Sequence, residues 1–158
     1  MSLFVKTRQI LLADDDKDDQ LLFKEALEEL SLATHLAIVQ NGEQLMQLLN
    51  DEKEQLPDIL FLDLNMPRKN GFICLSEIKR PERLKRLPVI IFTTSYEPEI
   101  VNLLYKKGAQ YYIRKPNDFE QLKTVIYQGL VLTGQKDMSQ PPRENFVLSS
   151  PLIKDEIK

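Results

Sequence analysis

The sequence predicts a doubly wound α/β domain, because short apolar runs alternate with stretches of helical periodicity and most of those runs are continuously apolar. Strands buried on both faces, as in a parallel sheet covered by helices, read this way, whereas half-exposed strands alternate. The runs are Ile10–Ala13, Leu36–Val39, Ile59–Leu62, Val89–Phe92 and Tyr111–Ile113. After the first, Leu22, Phe23, Ala26, Leu27 and Leu30 recur at helical spacing; after the second, Leu45, Leu48 and Leu49 do so. Ile73, Leu75 and Ile78 mark a third helix that should end near Arg80, since the residue before Pro81 is steered away from the α region. Ile100, Leu103 and Leu104 form the fourth, with Gly108 as its C-terminal stop, and Phe119, Leu122, Ile126 and Leu130 the fifth. Right-handed crossovers then place helices on both faces of the sheet.

From about Thr133 the pattern decays into Gly134, the Pro141-Pro142 pair, Ser149-Ser150 and Pro151. The chain therefore divides into a leader over residues 1–7, one domain over 8–132 and a tail over 133–158 in which no effector domain is expected. The tail's apolar residues, Phe146, Val147, Leu148, Leu152 and Ile153, are candidates to dock on the domain or on a partner.

With 158 residues, 42% of them hydrophobic, the chain can bury one sizeable core. A net charge of -3 gives no basic footprint for nucleic acid. The lone Cys74 cannot form an internal disulfide and reads as a small buried hydrophobe. Lys6 and Arg8 break the N-terminal stretch, which resembles neither a signal peptide nor a membrane span, so a cytoplasmic location is expected.

In a parallel sheet the residues following each strand emerge on one edge, where ligands bind near the topological switch point. Here the first strand ends in Asp14-Asp15-Asp16, the third in Asp63, the fourth in Thr93-Thr94-Ser95 and the fifth in Lys115-Pro116. Carboxylates brought so close repel by about 1 kcal/mol per pair at 4 Å in water, and about 4 at an effective dielectric near 20. Lys115 supplies one compensating charge. Three acids call for more, and an all-oxygen site suits magnesium, while the absence of His or Cys argues against zinc. With the charge neutralised, one carboxylate becomes a nucleophile toward phosphorus, and the hydroxyl, the lysine and the metal share the charge on the transferring oxygens.

These segments resemble the receiver domains of response regulators. The likeness is carried by Ile10–Asp16, by Asp63-Leu64-Asn65-Met66-Pro67 with Asn70-Gly71, by Phe92-Thr93-Thr94, and by Gly108-Ala109 with Tyr112–Pro116. Any one of these is weak evidence, but four in the right order at strand ends are specific. The resemblance spans roughly residues 8–132 and implies a flavodoxin-like sheet of five strands in the order 2-1-3-4-5 with five helices. It implies Asp63 as phosphoacceptor, Asp14 and Asp15 as magnesium-site acids with the backbone carbonyl of Asn65, and Thr93 and Lys115 as partners of the phosphoryl group. It further implies Tyr112 as a switch residue that turns inward on phosphorylation, Asn65 and Ser95 as the side chains that tune phosphoryl lifetime, and a cis Lys115-Pro116 bond. The implied phosphodonor is a histidine kinase or a phosphotransfer protein. Output is expected through the face of the fourth helix, fifth strand and fifth helix, toward a protein partner or a second copy. A narrower likeness points to the stand-alone regulators found beside phytochrome-type and hybrid kinases.

The same residues have plainer readings. Asp14–Asp16 suit a solvated turn before a helix capped by Asp18, and Asp16 and Asp19 are assigned that role alone. Thr93 can simply finish a strand, Tyr112 can be ordinary core, His35 is expected to be exposed at the start of the second strand, and Lys79, Arg80, Arg83, Lys85 and Arg86 to form a solvated face or loop, with recognition of an acidic partner as the alternative. An aspartate-nucleophile phosphatase of the haloacid dehalogenase type is the nearest enzymatic rival. It needs an acid two residues past its nucleophile, where this chain has Asn65. A flavin-binding domain needs a phosphate loop after the first strand, which three aspartates would repel.

Overall fold

The computed structural model describes residues 6–134 and 139–149. The elements run β1 (Arg8–Ala13), α1 (Lys17–Leu30), β2 (Thr34–Val39), α2 (Gly42–Asn50), β3 (Ile59–Leu62), α3 (Gly71–Ile78), β4 (Val89–Thr93), α4 (Pro98–Lys106), β5 (Tyr111–Arg114), α5 (Phe119–Thr133), a 3-10 turn (Arg143–Asn145) and β6 (Val147–Leu148). Among the described residues the sheet is wholly parallel, in the order β2-β1-β3-β4-β5-β6. The doubly wound architecture and the order of the first five strands are as the sequence implies; β6 is additional.

The strand patterns follow from position in the sheet. Every residue of β3 and β4 is buried, as central strands covered on both sides must be, whereas β2, at the edge, alternates partly buried and exposed positions in its first four residues. Successive strand residues face opposite layers. Leu11, Leu60, Leu62, Val89 and Ile91 pack with α2, α3 and α4; Ile10, Ile59, Phe61, Ile90 and Phe92 pack with α1 and α5. In the second layer Phe23, Phe61 and Phe92 meet edge to face, with centroids 4.9–6.1 Å apart. The apolar stripes are wider than the buried faces, since Leu22, Ile73 and Leu103 stand more than 40% exposed.

The helix ends are set by short polar side chains. Asp16, Asn41, Asn70 and Asp118 each accept a hydrogen bond from the backbone N–H three residues on, so α1 is capped by Asp16 and not by Asp18. Helix α3 stops at Ile78, just short of Pro81, and Gly108 takes φ +102° immediately after α4, a conformation a side chain would strain.

Residues 139–149 fold back onto the domain. Phe146 is completely buried, 5.1 Å from the Tyr105 ring and 6.3 Å from that of Tyr112, and its carbonyl accepts from the Tyr112 N–H at 3.0 Å. Gln140 donates to the carbonyls of Tyr105 and Ala109, and the Tyr105 hydroxyl donates to the Pro141 carbonyl. Residues 1–5 of the leader, and Leu152 and Ile153 of the tail, lie outside the described residues.

Candidate acidic site at the strand ends

Asp14 is fully buried because the chain continues straight out of β1, its N–H donating to Val39 of the neighbouring strand at 3.1 Å. Asp63 leaves β3 beside it, its N–H donating to the Ala13 carbonyl at 3.0 Å. Behind Asp63 the start of α3 approaches so closely that a Cβ on Gly71 would lie 2.4 Å from the Asp63 carbonyl oxygen. Lys115 follows β5, anchored by its N–H to the Thr93 carbonyl at 2.8 Å. The sheet thereby brings Asp14, Asp15, Asp63, Thr93 and Lys115 to one edge.

Each of Asp14, Asp15 and Asp63 offers a carboxylate oxygen, and these atoms lie within 4.8 Å of one another. Lys115 Nζ lies 2.7 Å from Asp14, 2.8 Å from Asp19 and 3.4 Å from Asp63, and 5.3 Å from the centre of the Phe92 ring. Burial pushes the Asp14 carboxyl up to about 6, against the pull of the Lys115 hydrogen bond and the Asp16 N–H. Burial also opposes the charge on Lys115, but its hydrogen bonds to Asp14 and Asp19 outweigh that and hold its pKa above the ordinary lysine value. Among the described residues, Lys115 thus faces three carboxylates, with Asp15 adding a fourth to the cluster, a balance that favours a further cation. The donors are hard oxygens, which fit a divalent ion such as magnesium.

Thr93 is completely buried and its Oγ1 has no hydrogen-bond partner among the described residues. An orphaned hydroxyl in a protein interior costs about 1–3 kcal/mol, so a hydrogen-bond acceptor entering the site would relieve it. Asn65 and Ser95 are exposed on the loops beyond Asp63 and Thr93, and the Asn65 N–H donates to Asp63 Oδ1 at 3.3 Å.

Several expectations change. Asp19 is no bystander in a solvated turn, because the first turn of α1 aims its carboxylate at Lys115. Tyr112 is fully buried, its hydroxyl donates to the Ser95 carbonyl and its ring meets Tyr96 edge to face at 5.9 Å. The Lys115-Pro116 bond is trans, there being no cis peptide among the described residues, in keeping with the intrinsic X-Pro preference of about 0.5–1 kcal/mol. The basic run lies in the loop after α3 with Arg80, Lys85 and Arg86 exposed, as expected, but two of its side chains are held against the body. Lys79 donates to the carbonyls of Lys85 and Leu87, and Arg83 to those of Leu49 and Asp51, tying the segment after α3 to the body. Cys74 is buried and His35 exposed, as expected. A groove of about 740 Å³ between α5 and residues 139–149 holds none of the strand-end acids.

The sequence profile of the response regulator receiver domain matches residues 10–127. The chain is similar to response regulator Rcp1 of Synechocystis, 34% identical over 125 residues that span 77% of this chain and 84% of Rcp1. It is 32% identical over 120 residues to a probable methanogenesis regulatory protein, FilR2, of Methanothrix harundinacea, covering 74% of this chain and 77% of that protein. Among solved structures it resembles Mn(2+)-bound Rcp1, with a TM-score of 0.72 at 31% identity over 85% of this chain and 99% of the other. It also resembles the phosphorylated cyanobacterial phytochrome response regulator RcpA, with a TM-score of 0.76 at 29% identity over 84% and 97%. No described helix is long and apolar enough to cross a membrane.

Proposed function

This chain belongs to the response regulator receiver family, a family of signalling domains, and from that premise we propose that it accepts a phosphoryl group on Asp63 and relays the event through its own surface. The observation that carries the reading is the convergence of Asp63, three further acids, Lys115 and the unpartnered Thr93 hydroxyl at one sheet edge.

A divalent ion, magnesium in this reading, would be held by Asp14, Asp15 and Asp63 with the Asn65 carbonyl, and when bound it supplies positive charge to the phosphoryl oxygens. The protein's own groups do the rest. The Asp63 carboxylate attacks phosphorus in line as the P–N bond of a phosphohistidine breaks, and the departing imidazole keeps the electron pair and takes a proton from solvent. Lys115 stays charged throughout, and the Thr93 hydroxyl gains its missing acceptor in a phosphoryl oxygen. The donor is a histidine kinase or a phosphotransfer protein. Asn65 and Ser95 are short and uncharged, so they screen the acyl phosphate from water poorly and favour a lifetime of minutes.

Output is assigned to the face of α4, β5 and α5, toward a protein partner or a second copy. Tyr112 and the segment packed on it belong to that face, and its rearrangement is limited to the differential stabilisation that phosphorylation provides.

The test is the mass of the intact protein after incubation with acetyl phosphate and magnesium. Wild type should gain one hydroxylamine-labile phosphoryl group, and Asp63→Asn, which keeps the side-chain shape but loses the nucleophilic oxyanion, should gain none. Equal labelling of the two would remove Asp63 from this role.

A further inference from the structure

Asp19 touches Lys115 at 2.8 Å, as closely as Asp14 does, yet it stands outside the group of three carboxylates that can share a metal ion. Its backbone is fixed, because its N–H is bound by the cap residue Asp16 at 3.0 Å, and its side chain is 29% exposed whereas that of Asp14 is wholly enclosed. Lys115 therefore has three acidic partners of two kinds. Asp14 and Asp63 face the acidic cluster, and Asp19 approaches from helix α1.

The difference matters once a divalent cation enters. Asp14 and Asp63 must then divide their charge between the ion and the ammonium, and the ion repels the ammonium at short range. Asp19 is the one carboxylate partner whose charge stays wholly available to Lys115. Without it the long lysine side chain has both a reason to leave the pocket and the rotamer freedom to do so.

We propose that Asp19 is a positioning residue for phosphoryl transfer, holding Lys115 beside Asp63 while the metal occupies the other two acids. The inference rests on the phosphoacceptor reading above. Asp19 touches neither phosphorus nor the metal; it acts through the lysine. Its removal therefore lowers the rate in the fully assembled site and is not mended by more metal.

Asp19→Asn keeps the size and leaves the backbone N–H that donates to Asp16 in place, while Asp19→Glu keeps the charge. Labelling by acetyl phosphate is followed across magnesium concentrations for wild type and both variants, with thermal melts as a check on folding. Asp19→Asn should label roughly tenfold more slowly at saturating magnesium, the worth of one charge-assisted hydrogen bond. Asp19→Glu should recover most of the rate. In magnesium-loaded protein, the Lys115 ammonium protons should exchange slowly by nitrogen-detected NMR in wild type and rapidly in Asp19→Asn. The proposal is overturned if Asp19→Asn labels at the wild-type rate, if excess magnesium alone restores it, or if Asp19→Glu is as slow as Asp19→Asn. Failure of wild type itself to label would instead overturn the phosphoacceptor reading, and this inference with it.

Discussion

Asp14 has no exposed surface, yet its carboxyl sits with three other acids and a single ammonium. Burial without adequate compensation is expensive, and such arrangements cluster where a site awaits a charged ligand. The edge positions of Asp63, Thr93 and Lys115 were legible because the first two directly follow an apolar run and Lys115 stands one residue beyond one, and parallel topology sends all such positions to one edge. Asp19 was not legible in its role, since its partner lies 96 residues away, whereas Phe146, a candidate to dock on the domain, does so against the ring of Tyr112 on β5. Tyr112 shows the same limit as Asp19: its identity marks a switch candidate, but its buried pose depends on Ser95, Tyr96 and Phe146 together. Burial pushes its hydroxyl up to about 12, with the neighbouring Tyr96 acting in the same direction. Tyr112→Phe removes only the hydroxyl and frees the Ser95 carbonyl. It should cost about 1 kcal/mol in urea unfolding while leaving acetyl phosphate labelling of Asp63 intact; loss of labelling would mean that the hydroxyl serves the chemistry itself.

Helix α3 carries the best example of an element whose ends do more than its sequence announces. Its end was readable from Pro81, whereas Asn70-Gly71 was read only as a turn signal and caps its start. What was not readable is that its C-cap residue, Lys79, is drawn inward to the carbonyls of Lys85 and Leu87, because that needs the following loop to close over it. Burial lowers the Lys79 ammonium to about 8. Below that pH both folded and unfolded chains hold the proton. Between about 8 and the ordinary lysine value of about 10.4 the unfolded chain binds more, so this group makes stability rise with pH across that window. The unfolding free energy of wild type minus that of Lys79→Met should therefore increase from about pH 7.5 to about pH 9.5, by at most about 3 kcal/mol. A flat difference would show that Lys79 titrates normally. Strand ends were read to within one residue in β3 and β4 but not in β2, where edge exposure breaks the apolar run at Thr34 and His35.

Over the whole molecule, the profile match ends at residue 127 while the packed structure continues to β6. Composition hid this continuation: two prolines, serines and charged residues surround a single phenylalanine that fills the space between Tyr105 and Tyr112. Phe146→Ala should lower stability by about 3–5 kcal/mol, the usual cost of emptying an enclosed aromatic site. Urea unfolding measures it, and a loss below about 1 kcal/mol would mean that the segment lies on the domain without supporting it. Strand β6 also pairs with β5, Val147 against Tyr112 and Leu148 against Ile113. A bare β5 would present a row of free amides and carbonyls, the template on which an extended peptide adds itself as another strand. The chain fills that template with its own residues and leaves at the margin a strand only two residues long, too short to guide another polypeptide into register. Among the described residues, the backbone of β5 on this side is already paired, so what binds against it has to read side chains.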